Sequence, residues 1–145
     1  KCDEKALNNV LDAKPEVLNY NVETVKRLYP EVRPQADYQR SLDVLTYCKN
    51  RNPEILVKSG LMAGLGETLD ELKTTIKDIN TAGADFLTIG QYLQPTKDHL
   101  SVKNFVTPEE FEELKRFALE TGFKDAACGP FVRSSYKAGE MYENK

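Results

Sequence analysis

The sequence predicts an α/β protein with parallel strands and outer helices, and three observations support this prediction. Short apolar runs alternate along the chain with stretches in which apolar residues recur every three or four positions. Two of these stretches begin with the Thr-x-x-Glu pattern of a helix start, and glycines end them. Strand–helix units of this length imply parallel strands joined by right-handed crossovers. Because only three or four strands are recognisable, we expect about half of a barrel and not a closed one.

The first unit begins with an apolar strand at residues 17–20, which follows Pro15. A loop containing Pro30 and Pro34 comes next. A helix is then predicted from apolar residues spaced by three and four positions, namely Tyr38, Leu42, Leu45 and Cys48. The Cys48 thiol is therefore expected in the core.

The second unit has a strand at residues 55–62 that is apolar except for Lys58, Ser59 and Gly60. A glycine-containing loop at residues 63–67 leads into a helix that starts with a capping box. In this box the Thr68 hydroxyl accepts from the third helical amide, and the Glu71 carboxylate accepts from the Thr68 amide. The apolar stripe of the helix consists of Leu72, Ile76 and Ile79, and Gly83 marks its end.

The third unit has a strand at residues 86–89, followed by a polar loop that begins at residues 90–95. A second capping box joins Thr107 to Glu110, with Pro108 at the first helical position that proline favours. The predicted inward-facing residues are Phe111, Leu114 and Phe117, and Gly122 ends the helix.

Composition and charge exclude several classes of protein. With 145 residues the chain is the size of one domain, or of half a larger one, and its 40% apolar and 30% charged content is typical of globular proteins. A net charge of −3 lacks the basic footprint of a nucleic-acid binder. No apolar run is long enough for a membrane span, and no signal-peptide pattern is visible. The first residue is Lys1, within helical sequence, so we expect a fragment or a processed piece.

The cysteines and the histidine give weaker signals. Three scattered cysteines, Cys2, Cys48 and Cys128, argue against a disulfide framework and favour a reducing compartment, which predicts a cytoplasmic protein. The interpretation of Cys128 stays open between core and site. His99 is expected to be an exposed loop residue. The acidic side chains of the last predicted helix, at residues 109, 110, 112 and 113, are expected to form a solvated face.

Polar side chains follow each predicted strand. At the end of the first strand lie Asn19, Asn21 and Glu23. The second strand carries Lys58 and leads to Glu67, and the third is followed by Gln91, Tyr92 and Gln94. The chain later reaches Arg133, Ser134, Ser135 and Tyr136. In barrels of parallel strands the loops after the strands carry the chemistry. These four sets are therefore expected at one end of the sheet.

Each set leaves an alternative open. The carboxylate of Glu23 could bind ribose hydroxyls beside Asn21, or it could start a helical segment at residues 22–28. A lysine such as Lys58 within an apolar strand needs a partner, either a nearby acid or a ligand at the strand end. The glycine segment from Gly60 to Gly66 is neither a phosphate-binding loop nor a dinucleotide fingerprint. It is a tight turn or a place of close backbone approach to a nucleotide-like ligand.

Five long segments resemble the lipoyl synthase family over nearly the whole chain. They are NYNVETVKRLYPEVRPQADYQRSLDVL, KSGLMAGLGET, LTIGQYLQPTKDHLSV, FVTPEEF and GPFVRSSYKAG. The resemblance implies the C-terminal half of a partial (β/α)6 TIM-type radical S-adenosylmethionine barrel at residues 1–128. Residues 129–145 would then form the RSSY segment and tail. The chain departs from the usual family pattern at Tyr20 and Lys137, where histidine is common.

The resemblance also implies an activity and its cofactors. The family inserts two sulfurs at C6 and C8 of a protein-bound octanoyl group, using S-adenosylmethionine and two 4Fe–4S clusters. No cysteine motif for a cluster is present here, so the cysteine ligands are expected outside this sequence. The implied partner is an octanoylated lipoyl carrier domain or the glycine-cleavage H protein, with no nucleic acid and no membrane. A eukaryotic member would be mitochondrial or plastidial.

Site residues follow from the same resemblance. Ser135 is the implied serine ligand of the auxiliary 4Fe–4S cluster, with Ser134 less favoured, and a serine oxygen is a harder ligand than thiolate. Arg133 is implied to shape the site when the serine leaves the iron. The implied cofactor contacts are Asn21, Glu23, Lys58, Gly64, Glu67, Gln91 and Tyr92.

Three rival functions remain at this point. A biotin-synthase-like enzyme shares the Asn-x-Glu-Thr pattern at residues 21–24 but lacks an RSSY serine. A non-catalytic module that binds lipoyl carrier domains is the rival from another class. A sugar-phosphate barrel enzyme is weaker, because no clear acid–base pair is visible.

Overall fold

The computed structural model describes residues 4–135 and 138–143, and these form one α/β unit. Its four strands lie in one parallel sheet in chain order, which confirms the predicted fold class. The strands are β1 (Val17–Asn19), β2 (Leu56–Ala63), β3 (Phe86–Gln91) and β4 (Asp125–Gly129). A sequential parallel order with intervening helices is the arrangement of a (β/α) barrel segment.

The helices follow the predicted pattern, and short additional helices follow β1 and β4. They are α1 (Glu4–Asp12), a 3-10 helix (Lys26–Leu28), α2 (Tyr29–Val32), α3 (Tyr38–Arg51), α4 (Leu69–Thr81), α5 (Pro108–Thr121) and α6 (Ala138–Glu143). Both predicted capping boxes are present, at Thr68 with Glu71 and at Thr107 with Glu110. The sequence interpretation did not locate β4 or α6, because both are short and lack a clear apolar period.

The strand bounds differ slightly from the predicted ones. β2 and β3 run to Ala63 and Gln91, beyond the predicted ends, because backbone pairing between the two strands continues to that point. β1 ends at Asn19, although the Tyr20 amide still donates to the Lys58 carbonyl at 3.0 Å. The helical alternative for residues 22–28 is wrong before Lys26, since Glu23 forms an isolated bridge with Leu61.

Strand alternation gives the sheet two different faces. One face packs under the helices and carries fully buried side chains such as Val57, Leu87 and Ile89, together with Cys48 and Ile76 of the helices. The expected core position of Cys48 is therefore confirmed. Phe117, predicted to face inward, is only partly buried.

The other face carries Lys58, Gly60 and Met62 of β2, since side chains two residues apart point the same way. A small second apolar cluster lies on this face, formed by Leu56 and Phe86, and Tyr142 of α6 packs against it. The chain after β4 therefore returns across this inner face of the sheet. No helix in the described part of the chain is long and apolar enough to cross a membrane.

Candidate functional site

A cavity of about 350 Å³ lies at the carboxyl ends of the strands, where the sequence predicted the site. It is lined by Asn21, Glu23, Gly60, Leu61, Met62, Thr88, Gly90, Gln91, Tyr92, Leu93, Pro95, Val132, Arg133 and Ser134. The lining comes from all four strand ends, including the segment after β4. Residues far apart in sequence thus form one concave site.

Asn21 and Glu23 reach the cavity through an irregularity beside β2. Asn19 pairs with Lys58 and Glu23 bridges to Leu61, so this side of the ladder has one residue more than β2. The Glu23 amide donates to the Gly60 carbonyl at 2.9 Å, and the Glu23 carbonyl accepts from the Met62 amide at 2.8 Å. An extra residue of this kind bends a strand and redirects a side chain.

Glu23 adopts a left-handed backbone conformation, with φ of 76°. This conformation costs a residue with a Cβ about 1–2 kcal/mol. The two backbone hydrogen bonds of Glu23 to β2 hold it in place. The strained residue is therefore also one that lines the cavity.

The Asn21 side chain carries an unsatisfied acceptor. Its Oδ1 atom is buried and has no hydrogen-bond partner among the described residues. The side chain lies over Gly60, where an added Cβ would be 3.0 Å from this oxygen and 2.9 Å from Thr88 Oγ1. Glycine at this position therefore leaves room for the amide, and a buried acceptor without a partner favours a ligand donor.

Gln91 and Tyr92 line the cavity, but their polar groups bind the loop that follows β3. The Gln91 amide donates to the carbonyls of Tyr92 and Asn104 and accepts from the Val106 amide. The Tyr92 hydroxyl donates to the Leu100 carbonyl at 2.8 Å. These side chains hold the loop at residues 93–106 against the strand ends.

That loop contains His99 and Gln94. His99 is exposed, as predicted, and its ring nitrogen Nδ1 is 2.8 Å from Thr96 Oγ1. Gln94 is exposed and donates to the His99 carbonyl. Both side chains stabilise the loop and neither lines the cavity.

Gly64 and Glu67 lie beside the cavity and do not line it. Gly64 has φ of 106°, and its carbonyl accepts from the Lys103 amide at 2.9 Å. The Glu67 carboxylate accepts from the backbone amides of Gly64 and Leu65. In this structure the predicted glycine-loop contacts therefore form a tight turn that supports the cavity wall.

The segment after β4 forms the opposite wall of the cavity. Val132 is buried, and its carbonyl lies against Gly90, where an added Cβ would be 2.2 Å from that oxygen. Arg133 Nη1 donates to the same carbonyl at 2.7 Å. Of the two serines, Ser134 lines the cavity, whereas Ser135 is exposed and does not line it. Tyr136 lies outside the described residues.

Lys58 does not line the cavity and lies on the inner face of the sheet, where it is 3% exposed. Its ammonium donates to the Ser134 carbonyl at 2.7 Å. Burial lowers the pKa of Lys58, and the negative charge of Asp125 opposes that decrease. The sequence predicted an acid or a ligand as the partner of this lysine, whereas its hydrogen-bond partner here is a backbone carbonyl of the RSSY segment.

The described residues contain no group of three or more His, Cys, Asp or Glu side chains that could hold a metal ion. Cys48 is buried in the core, and burial raises the pKa of the Cys128 thiol to about 12. A thiol held protonated in this way is a poor metal ligand. Cys2 lies outside the described residues.

Sequence reasoning missed several cavity residues. Met62 and Thr88 were not singled out, although strand alternation from Lys58 would have placed Met62 on the inner face. Leu93 and Pro95 lie in the loop after β3 and carry no polar signal. Val132 was regarded only as part of an apolar segment ahead of the arginine.

The chain is similar to curated proteins named lipoyl synthase. It is 51% identical over 144 residues to one from Rubrobacter xylanophilus, which covers 99% of this chain and 45% of that protein. It is 53% identical over 138 residues to one from Caldicellulosiruptor saccharolyticus, with 95% and 48% covered. For one from Aliivibrio fischeri the identity is 53% over 135 residues, with 93% and 42% covered. The chain spans about half the length of these relatives. No family model matches the chain.

Proposed function

The chain belongs to the lipoyl synthase family, and from this premise we propose that it forms part of an enzyme that inserts two sulfurs at C6 and C8 of a protein-bound octanoyl group. The partner of that enzyme would be an octanoylated lipoyl carrier domain or the glycine-cleavage H protein. This chain would supply the strand ends on one side of the S-adenosylmethionine site and the serine of the auxiliary cluster.

The observation that carries this proposal is a buried acceptor next to a carboxylate at the first strand end. Among the described residues Asn21 Oδ1 is buried and has no partner, and it lies beside a cavity that Glu23 also lines. A carboxylate is the usual partner of vicinal ribose hydroxyls. An amide oxygen accepts from the donors of a nucleoside. The cavity, about 350 Å³, lies within the roughly 300–1,000 Å³ range of small-ligand sites.

The residues after β4 would supply a serine oxygen, which is an unusual ligand for an iron–sulfur cluster. Ser134 lines the cavity and Ser135 follows it, both exposed. We propose that Ser135 ligates an iron of the auxiliary 4Fe–4S cluster, with Ser134 as the less favoured choice. The cysteine ligands of both clusters would come from outside this chain. When bound, the clusters and S-adenosylmethionine would supply the radical that removes hydrogen atoms and the sulfur that replaces them.

The chain's own residues would bind and orient these groups. Glu23 and Asn21 would fix the nucleoside, and Leu93, Met62 and Val132 would exclude water from its apolar surface. Arg133 already donates to the Val132 carbonyl and would keep a positive charge beside the serine pair. Gln91 and Tyr92 would contribute to cofactor binding by forming part of the cavity wall.

The test is a substitution of Glu23 in the full-length protein that carries this chain. Glu23→Ala should weaken S-adenosylmethionine binding by about 10- to 100-fold, because a hydrogen bond to a charged group contributes about 1.5–3 kcal/mol. Titration calorimetry measures the dissociation constant. Alanine keeps a Cβ, so the left-handed backbone carries a similar strain in both proteins.

The matched control is Glu31→Ala, which removes the same charge from an exposed position on α2. It should leave the dissociation constant within about twofold. An unchanged dissociation constant in Glu23→Ala would contradict the ribose role. A full-length protein that binds S-adenosylmethionine but forms no lipoyl product on an octanoylated carrier would contradict the proposed reaction.

A further inference from the structure

We propose that Lys58 is the positioning residue of the serine pair, acting through the Ser134 carbonyl and not through the cofactor. The inference rests on the proposed function, because it assigns a role to the segment that would carry the cluster serine. It differs from the sequence expectation, in which Lys58 contacts S-adenosylmethionine.

The first support is the geometry of the lysine. Lys58 Nζ lies 2.7 Å from the Ser134 carbonyl oxygen, a contact that joins residues 76 positions apart. The side chain is 3% exposed, and within the described part of the chain it forms no ion pair. A buried ammonium is costly unless its donors are used. An apolar side chain of similar length would fill the same space without that cost, so a directional donor is what lysine adds here.

The second support is the way in which the rest of the segment is held. The Val132 carbonyl lies against Gly90. The Val132 side chain is buried near Gly129, where an added Cβ would be 3.4 Å from Val132 Cγ2. Arg133 Nη1 holds the same carbonyl. These contacts fix the chain only as far as Val132. Among the described residues, Lys58 donates the hydrogen bond that holds the next residue, Ser134, to the sheet.

The third support is what the carbonyl controls. The Ser134 carbonyl belongs to the peptide group that joins Ser134 to Ser135, and a peptide group is planar. Fixing this oxygen therefore fixes the orientation of the Ser135 amide and narrows the positions of its hydroxyl. Ser134 and Ser135 are exposed, so packing holds their side chains less than it holds the buried Val132.

The experiment uses the full-length protein, first without its clusters, and compares Lys58→Met with the unaltered protein. Trypsin cleavage after Arg133, which is exposed, reports how often the segment leaves the sheet. Lys58→Met should accelerate this cleavage about tenfold, the effect of losing a hydrogen bond worth about 1.4 kcal/mol. After reconstitution, the variant should also lose iron from the auxiliary cluster faster, while the S-adenosylmethionine dissociation constant stays within about twofold.

The matched control is Lys49→Met. Lys49 also donates to a backbone carbonyl, that of Ile55 at 2.9 Å, but it lies on the helical side of the sheet and is paired with Asp85. Its loss should lower stability without accelerating cleavage after Arg133. Lys58→Arg keeps a donor at this position. Its rate of trypsin cleavage after Arg133 should therefore be closer to that of the unaltered protein than the rate of Lys58→Met is.

The outcomes separate the inference from its premise. Unchanged cleavage in Lys58→Met, or equal acceleration in Lys49→Met, would overturn the positioning role. A large loss of S-adenosylmethionine affinity with a protected segment would also overturn it, because Lys58 would then hold the cofactor. If Lys58→Met does not fold, the same rates are measured on Lys58→Gln, whose side chain is one atom shorter and stays polar. Failure of the proposed function would instead show as absent cofactor binding in the unaltered protein, while the cleavage comparison still holds.

Discussion

The outer helical layer and the rim of the cavity differ in how some of their polar groups are satisfied. In the helical layer, Tyr38 donates to Asp78, Lys73 pairs with Glu113, and both capping boxes are complete. At the rim, Asn21 Oδ1 has no partner among the described residues and Glu23 holds a left-handed backbone. Satisfied groups stabilise the fold, whereas unsatisfied and strained groups mark places where a ligand completes the structure. The difference separates the part that holds the fold from the part that we propose binds a ligand.

The largest expected effect comes from the helical layer. Ile76 of α4 is fully buried, and Ile76→Ala should lower the free energy of unfolding of the full-length protein by about 2–5 kcal/mol, because it leaves a cavity in the core. Urea unfolding measures this change. The S-adenosylmethionine dissociation constant of the folded fraction should stay within about twofold. A parallel loss of affinity would break the comparison, because it would show that the two regions are coupled.

A medium effect is expected at the rim from Gly90→Ala. The added Cβ would lie 2.2 Å from the Val132 carbonyl oxygen, so backbone must move, at a cost of about 1–3 kcal/mol. Here the affinity for S-adenosylmethionine should fall as well, since Val132 and Ser134 line the cavity. Titration calorimetry and urea unfolding measure both quantities.

Gly139→Ala is the control for this substitution. Apart from its chain neighbours and the backbone of its own helix, α6, no described atom lies within 4 Å of its added Cβ. Its affinity should not change, and its stability should be equal or higher by up to about 1 kcal/mol, since alanine favours a helix over glycine. If Gly90→Ala and Gly139→Ala changed the affinity and the free energy of unfolding equally, the close packing of Val132 on β3 would be refuted.

The smallest effect is an acid dependence of the helical layer. The Arg27 guanidinium donates to Glu71, and this hydrogen bond, with that of the Thr68 amide, lowers the pKa of Glu71 to about 2. Since the unfolded carboxyl has its ordinary pKa of 4.5, the unfolded chain binds more protons between these two values. The stabilisation is therefore present above the unfolded value and is lost as pH falls toward the folded value.

Glu71→Gln should flatten this part of the pH dependence of unfolding, measured by urea midpoints across that window. The exposed Glu112 provides the control, because Glu112→Gln removes one carboxylate from α5. We expect the control to retain the slope of the unaltered protein. A slope unchanged in Glu71→Gln would show that the Arg27 pair adds nothing to acid stability.

The sequence predicted the helical layer well, because its signals are local. The apolar spacing of Leu72, Ile76 and Ile79 and the box of Thr68 with Glu71 each lie within a few residues. The parallel sheet and the positions of its strand ends were predicted from the alternation of strand and helix segments. Asn21, Glu23, Gln91, Tyr92 and Arg133 were predicted to share a site, and all five line one cavity.

The remaining features depend on contacts between distant segments and could not be read locally. The free Asn21 oxygen depends on an extra residue beside β2, which no composition signal marks. The partner of Lys58 lies 76 residues away, so the alternatives of acid and ligand could not be decided from sequence. The cofactor contact implied for Glu67 by the resemblance stays a prediction, and the hydrogen bonds of its carboxylate to the amides of its own turn carried no sequence signal.

The wall formed by Val132, Arg133 and Ser134 has a consequence for the order of biosynthesis. These residues follow the four described strands along the chain, so they are synthesised after those strands. The helices can pack and the sheet can pair while the cavity still lacks one side. A nascent chain interrupted just after Gly129 would therefore carry all four described strands but would lack this wall of the proposed ligand pocket.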